Sequence, residues 1–480
     1  MMPSALLRLW HSPTATTWGS LAVRLSAALL ILPLVLVRFS TADVALWQLF
    51  STLFLLALML DMGLAPTFTR LLAYARGGAT VAEMALMHAR VSHGAQRPAD
   101  PTVATALLST MRWLYPRMAA FTLLLLGLLG TWGLVKPIAQ SAAQTQAWIA
   151  WALVLSTTGL VMWGSGYAAA LQGMNRVADL RRWEVATGLG QIASSAAVLL
   201  FEGGLLTLVA VYQAWAVAGA LRNRFLLKHL HPELFSTRPM RHPEVLAVMW
   251  PAAWRSGVGV LMSQGLIQAS GVVYSQLAPA AEVAAYLLAL RLMLLISQFC
   301  QAPFYSKLPR LAELHAAGNH ILQMQLAQRG MRLAYWVFVA GALAVALTVE
   351  PLLRLIGSRT NFVPTGVWAV MALAFFAERF GAMHLQLYSL TNRIVWHIAN
   401  GVTGVVMVGL ASILYSRIGP YAFPVAMLLA YAGFYGVYSA THSRRAFQLR
   451  LLRFESSTAG PAAIALCAGL GLSLYFPIHF

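Results

Sequence analysis

The sequence predicts an all-α polytopic membrane protein: two six-helix lobes related by a parallel repeat, followed by a thirteenth C-terminal helix. Three observations carry that prediction. Of 480 residues, 59% are hydrophobic and only 10% are charged, with a mean hydropathy of +0.70; a soluble domain carries about 25% charged residues. The apolar residues gather in runs of about twenty, the length that crosses a bilayer as a helix. Landmarks at the ends of those runs recur in the same order in the two halves of the chain. In lipid every backbone polar group must be satisfied within the protein, so continuous apolar runs mean helices; a β-barrel would show alternating strands of about ten residues.

The spans are predicted at about 18–39, 44–69, 114–135, 146–171, 184–202, 204–222, 250–277, 282–306, 332–349, 365–390, 394–416, 420–440 and 459–476. The first run, Trp18 to Phe39, holds Arg24 and is too long for a cleavable signal peptide. Helix two ends in "PTFTRL" (66–71), and helix three follows a polar connection over 70–112 with Arg117 just inside it. Helix four ends in "LQGMNRV", and helix five carries Thr187, Gln191, Ser194 and Ser195 on one face. Helix six precedes a basic stretch, Arg222 to Arg241. Helix seven carries Arg255, Gln264, Gln268 and Ser275; helix eight carries Arg291 and Gln298 and ends in "PFYSKL" (303–308). Helix nine leads to the longest outside loop, 350–364, and helix ten carries Glu378, Arg379 and Gln386. Helices eleven and twelve are plain apolar runs, and the thirteenth is short and rich in Gly and Ala. Residues 1–222 thus form an N-lobe, 223–249 a cytoplasmic linker, 250–440 a C-lobe, and 441–480 a basic segment with the extra helix.

Orientation follows from the cations. With the N-terminus inside, about 23 Lys and Arg fall in inside segments and about 5 outside. The net charge of +19 therefore reads as helix-flanking cations and not as a nucleic-acid surface. Cys300 and Cys467 both lie in apolar spans and read as packing residues.

Six helices precede the second lobe, an even number, so the two lobes enter the membrane from the same side. "PTFTRL" and "PFYSKL" stand at the same station of each half. Trp18 and Arg24 match Trp250 and Arg255, and "LQGMNRV" matches "LYSLTNRI". Convergent interfacial chemistry also places Trp and Arg at membrane edges. A duplication accounts for all three pairs in order, and it puts the natural site between the lobes near the midplane.

No phosphate-binding loop, zinc-protease motif or clustered Cys/His pattern occurs, so no metal or cofactor is expected. An enzyme that builds or polymerises glycans needs a folded outer loop, and the outer loops here are short. The informative residues are charges within spans: Arg24, Arg255, Arg291, Glu378 and Arg379, each costing about 2.5–3.5 kcal/mol at a bilayer centre. Arg24, Arg255 and Arg117 stand near helix ends, where snorkelling to headgroups is the alternative to lining a cavity. The amides Gln264, Gln268 and Gln298 either bond between helices or line a wet interior. With the arginines they predict a cationic chamber suited to phosphate, which the planar guanidinium grips with paired hydrogen bonds. Asp61 and Glu378 are the candidate coupling carboxylates, against a helix-end hydrogen bond for the first and an ion pair for the second.

These stretches resemble the multidrug/oligosaccharidyl-lipid/polysaccharide exporter superfamily, and within it the polysaccharide-transporter branch of oligosaccharide flippases. The most specific is "LAPAAEVAAYLLALRLMLLISQFCQAPFYSKLPRLAELHAAGN", Leu277 to Asn319; "LDMGL" (60–64) and "LQGMNR" (171–176) are similar to the branch's helix-two and helix-four endings. The resemblance implies two lobes set as a V around a central cavity in a bacterial cytoplasmic membrane. It implies passage of a polyprenyl-diphosphate-linked oligosaccharide to the outer leaflet for O-antigen, capsule or exopolysaccharide synthesis, with Arg24, Arg255 and Arg291 on the diphosphate. Its partners would be that anionic lipid-linked oligosaccharide, membrane lipids and other polysaccharide assembly proteins. The thirteenth helix departs from the family's twelve or fourteen. An inside-negative potential favours outward movement of anions by about 2.3 kcal/mol per charge per 100 mV. The rival is a multidrug or small-solute antiporter, which would offer carboxylates to a cationic drug.

Overall fold

The computed structural model describes residues 13–61, 63–86, 100–308, 310–311, 314, 319–391 and 395–475. Among them no strand occurs. The first helix, α1, covers Pro13–Arg38. Ser40 caps α2 (Thr41–Met59), its hydroxyl oxygen accepting from the Asp43 amide at 3.2 Å. The predicted second span then breaks. A turn through Gly63, at φ +70°, leads into α3 (Leu64–Arg76). Glycine alone takes that left-handed conformation freely, and Asp61 Oδ2 accepts from the Ala65 amide at 2.8 Å, satisfying an orphan donor of the new helix.

The short α4 (Val81–Leu86) precedes α5 (Pro101–Ala139), which contains a π turn at Leu126–Gly130. Asp100 caps α5, and hydrogen bonds from the Thr102 hydroxyl and amide hold its carboxyl below the ordinary carboxylate range. Next come α6 (Gln144–Gly173), α7 (Val177–Leu200) and α8 (Leu205–Leu230). α9 runs Pro243–Leu277 with a π turn at Leu261–Gly265, and α10 runs Ala280–Tyr305. Asn319 caps α11 (His320–Leu355), and α12 is Thr365–Ser389. α13 (Trp396–Ile418), α14 (Ala422–Phe447), α15 (Leu451–Glu455) and α16 (Ala459–Tyr475) complete the described chain.

Each of the thirteen predicted spans has its helix, and ten helices among the described residues are long and apolar enough to cross a bilayer. α16 has 17 residues, about 25 Å of helix. Helices run past the predicted ends on the arginine-rich side. α5 begins at Pro101 rather than near 114, α8 continues to Leu230, and α9 starts at Pro243, so helix ends occupy much of 223–249. The landmark hexapeptides also differ locally: "PTFTRL" lies in the first turns of α3, after the break, whereas "PFYSKL" runs off the end of α10. Asn175, at φ +61°, makes the turn between α6 and α7; its counterpart at 392–393 lies outside the described residues, as do Arg8, Arg90 and Arg97.

The chain divides into two compact units at Leu261/Met262, inside the π turn of α9. In the first unit a continuous apolar core joins the arginine-rich ends of the helices. Phe68 and Leu72 of α3 meet Leu108, Met111 and Tyr115 of α5 and Tyr167 and Leu171 of α6; Val245, Met249 and Ala253 of α9 close it. The length of α5 explains why this core exists. α5 has 39 residues, about 58 Å against a hydrocarbon thickness of about 30 Å, so its first turns need a protein partner. Segment 236–240 is strapped to them: Ser109 donates to the Arg238 carbonyl at 2.7 Å and Arg112 to the Thr237 carbonyl at 2.9 Å.

In the second unit α12 is the central helix, buried on most sides by α11, α14 and α16. Its Trp368 donates to the Ala342 carbonyl at 3.1 Å. Its His384, fully buried, bonds Ser443 of α14 through Nδ1 and Glu455 of α15 through Nε2, each at 3.0 Å. That network ties the hairpin leading to α16 onto the lobe.

A Cβ on Gly63 would sit 2.6 Å from Ser256 Cβ on α9, in a backbone conformation that side chains resist. Gly63→Ala is expected to lower stability by about 1–3 kcal/mol, read as a fall in melting temperature of the purified protein; an unchanged melt would show that α9 does not rest on this turn.

Candidate functional site

Polar groups on membrane helices sort by whether the protein satisfies them. On α9, Arg255 is exposed, with its guanidinium 5.9 Å from the Trp254 ring centroid. Exposed Trp250 and Trp254 flank it, the pairing of aromatic and cation found at headgroup depth. Arg255 precedes the helix end at Leu277 by about 33 Å of helix, close to a full hydrocarbon width. It therefore stands at one membrane surface and Leu277 at the other. Gln264, in the π turn, is exposed, and Gln268 is half-buried. Ser275 turns away: it is buried and donates to the Val272 carbonyl at 2.6 Å.

On α10, Arg291 lies about 16 Å from the helix start at Ala280, near mid-membrane. It is half-buried and engaged within the protein. Gln298, two turns further, is exposed. Gln298 is about 27 Å from the helix start, toward the opposite boundary, whereas Gln264 is about 13 Å past Arg255. Lipid tails offer no hydrogen-bond partner, so an exposed amide at the depth of Gln264 requires water or a polar ligand.

Arg379 on α12 is a different kind of cation. It is 6% exposed, and its guanidinium lies 3.2 Å from the Glu378 carboxylate and 3.4 Å from Gln301 Oε1. Glu378 is half-buried beside it. Arg379, expected on a substrate surface, is placed in the lobe interior as an ion pair with its neighbour, with Arg379 Nε and Glu378 Oε2 buried without a hydrogen-bond partner.

Asp61 lies in the turn between α2 and α3 with Oδ2 on the Ala65 amide; Oδ1 is buried without a hydrogen-bond partner and faces Tyr115. The polar face of α7 bonds to α8: Arg222 donates to Thr187 and the Trp215 indole to Ser194, each at 2.8 Å. Arg24 is on α1, but its side chain lies outside those described. Arg117 folds over the Trp113 ring at 4.0 Å.

Sequence reasoning missed Glu184. Its carboxylate accepts from Ser20 of α1 and from Arg181, each at 2.7 Å, joining α1 to α7. An acidic residue at the first turn of a predicted span was the available signal. It also missed His384, whose partners are distant in sequence. Among the described residues no group of three His, Cys, Asp or Glu could hold a metal. An apolar groove of about 360 Å³ in the second unit, lined by Leu266, Ser270, Met407, Tyr415, Phe423 and Met427, offers no charge to an anion.

No family profile and no curated protein matches the sequence. Solved structures do match the fold. The chain is similar to a multidrug-resistance MATE transporter of the MOP superfamily in an inward-facing conformation, at 12% identity and TM-score 0.66, over 90% of this chain and 95% of that one. It is similar to the lipid II flippase MurJ at 11% identity and TM-score 0.59, over 96% and 99%. The Vibrio cholerae MATE transporter VcmN gives 13% identity and TM-score 0.53, over 94% and 99%. The chain shares the fold of these membrane transporters and of this flippase.

The contrast between the two arginines is measurable. Arg379→Ala strands Glu378 in a buried site and is expected to destabilise the protein by about 3–5 kcal/mol, whereas Arg255→Ala should leave the melting temperature nearly unchanged. Equal, small effects in both would contradict the assignment of Arg379 to the lobe's interior.

Proposed function

We propose that this protein moves a polyprenyl-diphosphate-linked oligosaccharide from the cytoplasmic to the outer leaflet of a bacterial inner membrane, for assembly of a surface polysaccharide. The observation that carries the reading is the set of exposed polar groups on otherwise apolar membrane helices: Arg255 and Gln264 on α9 and Gln298 on α10. A hydrated route explains the tolerance of Gln264 at mid-membrane depth, with Arg255 and Gln298 nearer the boundary. Its sign is cationic, since Glu378 is spent on Arg379 and Asp61 gives one oxygen to the Ala65 amide. In this reading Arg255 takes the diphosphate at headgroup depth and Arg291 meets it deeper, with Arg24 of α1 as the cation that corresponds to Arg255 in the sequence repeat. Gln264, Gln268 and Gln298 hydrogen-bond the sugar. The polyprenyl tail stays in the bilayer throughout, and the membrane potential favours the outward step.

The second reading is a drug or small-solute antiporter, and the likeness to MATE transporters supports it at the level of fold. It requires an available carboxylate for a cationic solute. The engagement of Glu378 with Arg379 and of Glu184 with Ser20 and Arg181 weighs against it, and Asp61, with Oδ1 unpartnered, is the carboxylate left to it.

The test is genetic and chemical. Deletion of the gene is expected to leave a lipid-linked sugar in the cytoplasmic leaflet and to remove a surface polysaccharide. Arg255→Ala and Arg291→Ala, expressed at normal level in the membrane, are expected to restore less than about a tenth of the polysaccharide. The Lys variants should restore more, retaining charge but losing the bidentate fork. Full complementation by both Ala variants, or loss of drug resistance with normal polysaccharide, would overturn the proposal.

A further inference from the structure

The end of α14 and the turn into α15 carry a cluster that substrate movement does not use. Arg444, Arg445, Arg450 and Arg453 fall within ten residues, and among the described residues none of them forms an ion pair. The sequence from 422 to 480 contains one acidic side chain, Glu455. Its carboxylate is already occupied: Oε1 lies 3.0 Å from His384 Nε2, and Oε2 accepts from the Thr458 hydroxyl at 2.7 Å. Four positive charges are therefore uncompensated by the segment that bears them.

Geometry gives this charge a pocket. α14 ends at Phe447, and Gln448, at φ +52°, turns the chain sharply into α15. The turn encloses a cavity of about 420 Å³ lined by Thr441, Arg444, Arg445, Gln448 and Leu449. Two guanidinium groups, a hydroxyl and an amide thus converge on one space. α14 has 26 residues, about 39 Å against a hydrocarbon core of about 30 Å, so its last turns emerge at headgroup level. Beside the pocket Leu452 is 89% exposed and Leu449 is half-exposed. An exposed leucine next to bare arginines fits a surface where water gives way to acyl chains.

We propose that this pocket is a binding site for an anionic glycerophospholipid. Its phosphodiester lies between Arg444 and Arg445, Gln448 donates to it, the Thr441 hydroxyl, which donates to the Val437 carbonyl at 2.7 Å, accepts from a headgroup hydroxyl, and the acyl chains pass along Leu452 into the bilayer. A soluble phosphate would meet the arginines but leave Leu452 in water. A zwitterionic headgroup would bring its own cation into a site that lacks a carboxylate. The His384–Glu455 contact holds α15 against the lobe and so sets the pocket wall, which makes bound lipid a brace for the hairpin between α14 and α16.

The experiment titrates the detergent-purified full chain with phosphatidylglycerol or phosphatidylcholine and follows binding by native mass spectrometry and by melting temperature. Phosphatidylglycerol is expected to bind and raise the melting temperature, and phosphatidylcholine to do neither. Arg444→Gln with Arg445→Gln should weaken phosphatidylglycerol roughly tenfold to thirtyfold, at about fivefold per arginine near a membrane surface; Arg417→Gln should not. If the double variant does not fold, the single variants report the fivefold step. Unaltered binding in the variants, equal binding of phosphatidylcholine, or full stabilisation by glycerol 3-phosphate alone would each overturn the proposal.

Discussion

A guanidinium within a bilayer must find an anion or water, and the arrangement of polar groups in this protein follows from that constraint. Arg379 finds Glu378 beside it and disappears into the second unit. Arg255 forms no ion pair among the described residues; it stays exposed, at the depth where Trp250 and Trp254 mark the membrane surface. Uncharged polar groups obey the same rule. The Thr187 and Ser194 hydroxyls of α7 accept from α8, while the amides of Gln264 and Gln298 remain exposed. Composition counts these side chains alike, but the structure separates those that complete a lobe from those left exposed.

Presenting Arg255 at that depth depends on packing outside the membrane. α5 and α9 begin well before the hydrocarbon boundary, and their first turns join α3 in one apolar core. Gly63 makes this possible by turning the chain so closely that its backbone lies against Ala253 and Ser256. Arg255 lies between those two residues in sequence, so its placement is set by the same contact. A stabilising interaction and a candidate substrate group thus share one turn of helix.

Much of this was legible in the sequence. Helix number and type followed from apolar run length, and the ends nearest the outer loops fell close to their predicted positions. The inner ends did not, because hydropathy falls where a helix leaves lipid even when it continues as helix; α5 starts thirteen residues early behind an Asp-Pro-Thr cap. The break in span two was signalled by Asp61 and Gly63 but was hidden by the apolar residues around them. The candidate arginines and amides could be identified by type and depth. Their individual fates could not, since the pairing of Arg379 and the engagement of Ser194, Ser275 and Thr187 depend on which neighbour faces each one. His384 shows the limit most clearly: its partners lie 59 and 71 residues away.

The central claim is that exposed polar positions on α9 and α10 face water rather than lipid. Single cysteines at 255, 264 and 298, in a chain with Cys300 and Cys467 replaced by Ala, test it directly through labelling by a membrane-impermeant, charged thiol reagent in membranes open to both sides. The account predicts that all three are labelled, while a cysteine at Val273, exposed on α9 but apolar in its native state, is not. Absence of labelling at 264 and 298, with the proteins intact in the membrane, would place those side chains in lipid or in dry contacts and contradict it.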